Sequence, residues 1–553
     1  MKAMKKILAT LVCLCMVCSF AVLAVSAEGT GKITIQNPSN SAATVAGKTF
    51  QLYKVFDATV DGKNIAYSWY KKDGVALFEN FFFGDGDGYN YCQKASGTAQ
   101  EAVEKISQIS DNLELSRLAE NLHTYIKAID PLQTVTGPSG ATSVEFTGLS
   151  VGYYLVYDNT TPTGSSVRSA VMLKSVSQEV VITLKANRPQ IEKYVLENDD
   201  TTWGKATSSS IGDEVKFKIS TLVPSHTLYE NYAYYIEDVL PEGLELKENS
   251  IVVYKNGTQV DNTHYALSGA GTGINGAYDF KVDFTGPITS KFQINDQISI
   301  EYIAIVDEEI APHVANVNTA TLFYHNDPTA ATPTFGSSVA TANVYTYMFV
   351  MTKFSEDANG NFSNHTRLAG AKFKFYKTGS SEPIKFVKRT VDGKLRYFVA
   401  PSDTTETTYE EIEVISSGTP TGDIENATYL GGNMGDITLF GLAEGTYEIE
   451  ETEAPSGYVR ADKRFKISIV DVVDDYGMVS TLTVTGEHEG NGSLGNAGGN
   501  NKNLLTWVDI ANKPGSALPE TGGMGTTLFT LIGIVLMAGA VAFFTSRKRS
   551  SVA

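Results

Sequence analysis

A chain of 553 residues is too long for one hydrophobic core and implies several domains. Hydrophobic residues make up 42% and charged residues 19%, an ordinary globular balance that argues against disorder. The formal net charge of −18 repels nucleic acid and anionic lipid, so neither is an expected partner.

At the N-terminus, Lys2, Lys5 and Lys6 precede an apolar run from Ile7 to Val25, and Val25-Ser26-Ala27 offers a cut after Ala27. This is the pattern of a secretion signal over residues 1–27. Cys13, Cys15 and Cys18 lie inside that run, without the small residues of a lipobox. The exported chain keeps only Cys92, a quiet packed thiol, and no internal disulfide. Any covalent staple must come from other chemistry.

Residues 28–187 read as a first domain. Ile33-Thr34-Ile35 and Val144-Glu145-Phe146 alternate as strands do. Between Thr98 and Ala128, apolar residues including Ala102, Ile106, Leu118, Leu122 and Ile126 recur every three or four positions, which predicts one or two amphipathic helices against the sheet. Val181 to Asn187 reads as the last strand, carrying Lys185.

Pro189 forbids a ladder donor and opens a second domain, 188–335. Val215, Phe217 and Ile219 alternate with lysines, and Ile298, Ile300 and Tyr302 with polar residues. The stretch Pro328 to Pro333 reads as the next boundary. A third domain, 344–513, contains the period-2 strand of Phe465, Ile467 and Ile469. Segment 378–430 is polar and turn-rich, an expected insertion. Residues 489–503 are Gly/Asn-rich and read as a long loop. The fold class is mainly β: tandem immunoglobulin-like sandwiches, with helices inserted in the first domain.

The C-terminal end is the most specific. Leu518, Pro519, Glu520, Thr521 and Gly522 spell LPxTG. Residues 526–553 hold an apolar stretch, Leu528 to Phe544, long enough to span a bilayer, and the basic Arg547-Lys548-Arg549. The set resembles the sorting signal of sortase substrates. That resemblance implies attack by a sortase cysteine on the Thr521 carbonyl and loss of Gly522 onward, so the span is temporary and the protein ends on the cell wall.

Three further resemblances rest on particular residues. Thr352-Lys353-Phe354, the run Tyr447-x-Ile449-x-Glu451-Thr452-x-Ala454-Pro455-x-Gly457-Tyr458 and Asn512 occur in the order of the collagen-adhesin B-type domain and its E-box. The resemblance implies an isopeptide bond between Lys353 and Asn512, with Glu451 as the acid. Lys193, Asp238 and Asn318 are similarly placed to the set in the middle domain of sortase-assembled pilin backbones, which implies a Lys193–Asn318 bond with Asp238 as the acid. Asn316 is the rival, two residues away on the same strand face, and Asn318 is preferred because it directly precedes Thr319-Ala320. In the first domain Tyr157 stands at the E-box glutamate position and Ile33 or Ile35 at the lysine position, so no bond is expected there. Pilin backbones carry their intersubunit lysine at the end of that domain, which points to Lys185; a solvated edge lysine is the plain alternative, and Lys193 a weaker candidate for the linkage.

The physics of such bonds is simple. An exposed lysine is protonated and cannot attack an amide. Burial disfavours both the ammonium and the carboxylate, leaving a neutral amine and a neutral acid that can shuttle protons as ammonia leaves. No cofactor or metal is needed, and no enzyme motif is read: there is no HExxH, no CxxC outside the secretion signal and no Gly-rich phosphate loop after a strand, and the seven histidines are scattered. The pilin-backbone resemblance (a major fimbrial subunit of a Gram-positive cell) implies identical subunits in a covalent polymer as partners. It also implies class C-type and housekeeping sortases, peptidoglycan, accessory pilins and host ligands. The alternative is a non-polymerising wall-anchored adhesin or an accessory tip or base pilin.

Overall fold

The computed structural model describes residues 31–549 apart from 40–42, 62–63, 85–89, 187, 199, 230, 313, 331, 358–361, 392, 417–430, 501–503 and 517–523. The secretion signal and the LPxTG residues Leu518 to Gly522 lie outside the described residues. The chain folds mainly as β-sheets in tandem sandwiches.

In the first domain, strand Gly31–Gln36 pairs antiparallel with Ser143–Leu149, setting Ile33 opposite Phe146, and parallel with Glu179–Thr183. A second sheet is built around the long strand Thr49–Asp61. The expected helices are Ala99–Ser107 and Asn112–Ile126. Thr98 starts the first with a reciprocal capping box to Glu101, satisfying two donors that a helix start leaves unpaired. Ala102, Ile106, Leu118 and Leu122 pack with Phe56, Phe81 and Phe82, so the apolar stripe is the face that covers the sheet.

The second domain is a sandwich of two sheets. One contains Ile191–Leu196, Glu214–Leu222 and Gln297–Val306, with Phe217 opposite Tyr302 and Ile219 opposite Ile300. The other contains Tyr234–Val239, Asn316–His325 and Phe335–Tyr345. The Pro328 to Pro333 boundary expected from composition falls inside this second sheet. It lies between the arms of a hairpin that pair from Asn316↔Val344 to His325↔Phe335. Proline and small residues mark a tight turn as readily as a linker. Only Thr346 then separates this domain from strand Tyr347–Glu356 of the third.

In the third domain one sheet runs through Asp436–Leu442, Tyr347–Glu356, Leu505–Asn512 and Ser493–Asn500, and the facing sheet through Lys372–Lys377, Gly445–Glu453 and Phe465–Val473. The Gly/Asn-rich stretch expected as a loop is in large part the edge strand Ser493–Asn500, antiparallel to Leu505–Asn512. Its glycines are packing devices. A Cβ on Gly498 would sit 2.5 Å from Trp507 Cζ2, and one on Gly499 2.3 Å from the Leu482 carbonyl oxygen. Of the polar segment 378–430, Phe386–Val391 and Lys394–Val399 form a hairpin that extends the first sheet through Tyr397↔Leu439. Helix Met524–Arg549 includes Leu528–Arg547, long and apolar enough to cross a membrane, with a mean hydropathy of 2.3.

Candidate functional site

Two buried clusters hold the lysine, acid and asparagine picked out from the sequence. Strand alternation turns Lys193 and Asn318 inward, while Asp238, Lys353 and Asn512 lie on strands buried at successive positions. In Ile191–Leu196 the buried positions are Ile191, Lys193 and Val195, so Lys193 occupies a core position in an apolar row. Asn318 lies on a buried position of Asn316–His325, and Asp238 on Tyr234–Val239, the neighbouring strand of the opposite sheet. All three side chains are fully buried.

Lys193 Nζ donates to Asn318 Oδ1 at 2.6 Å and to Asp238 Oδ2. Phe217 and Tyr302 stack at 5.3 Å and wall the amine, their ring centres 5.6 and 5.4 Å from Nζ. Burial, only partly opposed by Asp238, lowers the Lys193 amine to about 8, and burial raises the Asp238 carboxyl. Both shifts favour the neutral pair. Tyr302 joins the same network: its hydroxyl donates to Asp238 Oδ1 at 3.0 Å and accepts from Asn318 Nδ2 at 2.7 Å. Sequence reading took Tyr302 only as a core position of an alternating strand. Its hydroxyl had no signal of its own. Asn316, the rival, is used up by backbone: its Nδ2 donates to the carbonyls of Ala311 and Val344, at 3.0 and 3.1 Å, and its Oδ1 accepts from Ala311 N.

In the third domain Lys353 and Asn512 lie on neighbouring parallel strands of one sheet, with Ser355 opposite Asn512, while Glu451 comes from the facing sheet. Lys353 Nζ is 3.3 Å from Glu451 Oε1. Asn512 Nδ2 donates to Glu451 Oε2 at 2.8 Å and to the Val459 carbonyl at 2.8 Å. Ala461 N donates to the same Oε2 at 2.7 Å, fixing the carboxyl. Lys353 Nζ, Glu451 Oε1 and Asn512 Oδ1 are buried and make no hydrogen bond. Lys353 Nζ and Glu451 Oε1 still face each other as an ion pair, so the buried charges are matched across the sandwich. Burial lowers the Lys353 amine to about 8 against the pull of Glu451.

The two clusters are wired differently. In the second domain lysine and asparagine face each other across the sandwich; in the third they are neighbours within a sheet and the acid reaches across. Both lysines sit on the first strand of their domain. Asn512 is on the last, but Asn318 is on the penultimate, because Phe335–Tyr345 adds a strand after it.

The first domain holds neither arrangement. Ile33 and Ile35 are core residues, and Tyr157 stacks on His123 with ring centres 3.4 Å apart. Its buried lysines are Lys54, paired with Asp57 and Ser150 Oγ, and Lys48, paired with Asp158 at 2.8 Å and with the Val167 carbonyl; Asp158 also accepts from Ser169 N and Thr160 N. Among the described residues neither a second acid nor a side-chain amide completes that set. The expected last strand stops at Thr183, so Lys185 lies just past it, exposed between buried Leu184 and Ala186. Surrounding protein, and then Lys174, lower the Lys185 amine. Cys92 is half-buried and burial raises its thiol.

Comparison with known proteins bears on the whole chain. The SpaA prealbumin-like fold domain matches residues 360–486, and the LPXTG cell wall anchor motif matches residues 511–551. The chain is 24% identical over 412 residues to the trypsin-resistant surface T6 protein of Streptococcus pyogenes serotype M6, covering 66% of this chain and 70% of that one. Among solved structures, the T6 backbone pilin of serotype M6 Streptococcus pyogenes is 18% identical with a TM-score of 0.46, covering 89% of this chain and all of that one. The major pilin SpaA of Corynebacterium diphtheriae is 15% identical with a TM-score of 0.42, covering 87% of this chain and all of that one. With its LPXTG anchor motif and its SpaA-type domain, the chain is a cell-wall-anchored extracellular surface protein that is similar to sortase-assembled pilins.

Proposed function

We propose that the chain is the shaft subunit of a covalent pilus, polymerised by sortase through Thr521 of one subunit and Lys185 of the next, and stiffened by Lys193–Asn318 and Lys353–Asn512 isopeptide bonds formed by the chain itself. The observation that carries this reading is the pair of dry clusters in which an amine near neutrality meets an asparagine carboxamide and a carboxyl. A buried ion pair alone is weak support for stability, since desolvation offsets the attraction. The same groups arranged for condensation gain a covalent bond, so the cost of burying them is explained by chemistry.

Lys185 supports the polymer half of the reading. Its side chain is reachable and its amine is lowered, which raises the neutral fraction that can attack a thioacyl carbonyl. Pull on either end of the shaft would then pass through amide bonds in two of three domains.

Intact-mass measurement of the chain from Glu28 to Lys513 tests the internal bonds. The expected deficit is two ammonias, with branched peptides at Lys193–Asn318 and Lys353–Asn512; a mass equal to the sequence would remove the proposal. On the native cell, the subunit is expected as a ladder of high-mass species that survives boiling in detergent, collapsing to monomer in Lys185→Ala. A ladder that persists reassigns the lysine, and a native cell that never forms one favours the non-polymerising adhesin.

A further inference from the structure

The two clusters differ in how the acid reaches the departing nitrogen. Glu451 touches both ends of the reaction: Oε1 faces Lys353 Nζ at 3.3 Å and Oε2 takes a hydrogen bond from Asn512 Nδ2 at 2.8 Å. Asp238 is one methylene shorter. Its Oδ2 holds Lys193 Nζ, but its Oδ1 meets Tyr302 Oη at 3.0 Å, and it is Tyr302 Oη that contacts Asn318 Nδ2, at 2.7 Å. The phenol bridges the gap between the carboxyl and the leaving group.

We propose that Tyr302 is a catalytic residue of the second domain, relaying the proton from Asp238 to the ammonia leaving Asn318. This rests on the crosslinking reading given above. The step balances as follows. The neutral Lys193 amine attacks Asn318 Cγ, and the new Nζ–Cγ bond gives a tetrahedral centre. Nζ passes one proton to Asp238 Oδ2. Asp238 begins as the neutral acid with its proton on Oδ1; that proton passes to Tyr302 Oη as Oη gives its own to Nδ2, and Asp238 keeps the proton taken from Nζ on Oδ2. The Cγ–Nδ2 bond breaks, its electron pair leaves on ammonia, and the amide remains. Asp238 and Tyr302 end with the protons they began with, as catalysts must.

Three further facts favour a relay over a packing role. The hydroxyl is buried with the other members of the cluster, Tyr302 being 1% exposed, so it is not there to reach water. Both of its hydrogen bonds go to members of the reacting set. Burial, reinforced by Asp238, holds the phenol far above its ordinary range, so it stays a neutral group able to take and give one proton. The ring itself packs on Phe217 at 5.3 Å and on Phe280 at 4.9 Å, contacts that phenylalanine would keep.

The test is Tyr302→Phe in the full chain made by cell-free synthesis, with ammonia loss followed by intact mass and each bond located by its branched peptide. The Lys353–Asn512 bond in the same molecule is the internal clock. The expected result is a fall of about a hundredfold or more in the rate of Lys193–Asn318 formation, with the third-domain rate unchanged. An unchanged second-domain rate overturns the relay while leaving the crosslinking reading intact. An unaltered chain that never forms the Lys193–Asn318 bond sinks that earlier reading instead. Asp238→Glu with Tyr302→Phe is the second measure, made alongside the single variant and checked for folding by trypsin digestion. There the longer acid can touch both nitrogens, as Glu451 does, and the bond should form on the third domain's timescale; a folded double variant that stays unlinked overturns the relay.

Discussion

At Lys193 and Lys353 the deciding quantity is the solvation each ammonium loses. Each lies in an apolar wall with one carboxyl beside it, and desolvation outweighs the attraction of that carboxyl. The consequence is a pH dependence that appears only when the bond is missing. In Asn512→Ala, Lys353 keeps a free amine whose folded value, about 8, lies below its ordinary 10.5. Between those values the unfolded chain binds more protons than the folded one, so stability rises with pH through that window and is lowest below about pH 8. Thermal unfolding of the third domain should therefore show the gap between Asn512→Ala and the unaltered chain narrowing as pH is raised from about 7 to about 10. With the proposed bond in place Lys353 is an amide and lacks this contribution. A gap that does not change with pH would mean that Lys353 is not desolvated.

Among elements, the edge strand Ser493–Asn500 shows how composition misleads. Glycine and asparagine signal a loop because they weaken strands and favour turns. Here small side chains are demanded by proximity: Trp507 lies over Gly498, and the Leu482 carbonyl oxygen fills the place of a Cβ at Gly499. Gly499→Ala should cost the third domain about 1–3 kcal/mol through overpacking, read as a lowered midpoint in denaturant. An unchanged midpoint would show that the two strands can part without loss. The helices of the first domain were legible because their signal is local. An apolar residue every third or fourth position fixes the face that packs, and the structure adds the Thr98–Glu101 capping box at the start.

For the whole molecule, the junctions matter as much as the domains. Thr346 alone separates the second and third domains. Across that junction Ser208 Oγ and Ser210 Oγ accept from Glu444 N and Ala443 N, and Asn343 Nδ2 and Tyr345 Oη donate to the Gly477 carbonyl. Between the first and second, Arg168 pairs with Asp327 at 3.1 Å, and Tyr324 Oη donates to the Ser165 carbonyl. The hairpin that composition suggested as a linker is thus a brace against the first domain. The first domain has an ion pair, Lys48–Asp158, where the others have the clusters proposed to form a covalent bond. By analogy with disulfides, each isopeptide bond would remove about 4–5 kcal/mol of unfolded-state entropy, a gain the first domain forgoes. Calorimetry of the unaltered chain should show the earliest transition in residues 31–186, with protease cutting there first. A first transition in either of the other domains would contradict the proposed distribution of bonds.

The residues proposed to carry the chemistry sit in short motifs whose order along the chain is itself a signal: Lys353, the run ending at Tyr458, and Asn512; Lys193, Asp238 and Asn318; the LPxTG sorting residues. Period-2 alternation then predicted which faces were buried. What the chain could not reveal before folding was the meeting of atoms from distant strands: that Asn318 faces Lys193 while Asn316 turns to backbone, that the acid comes from the opposite sheet in one domain and stands beside the asparagine in the other, and that the Tyr302 hydroxyl lies between Asp238 and Asn318. Side-chain direction along a strand is a local property with a period of two. Which strand lies opposite, and at what register, is set by the packing of whole sheets, and contacts between residues more than a hundred positions apart carry no local trace.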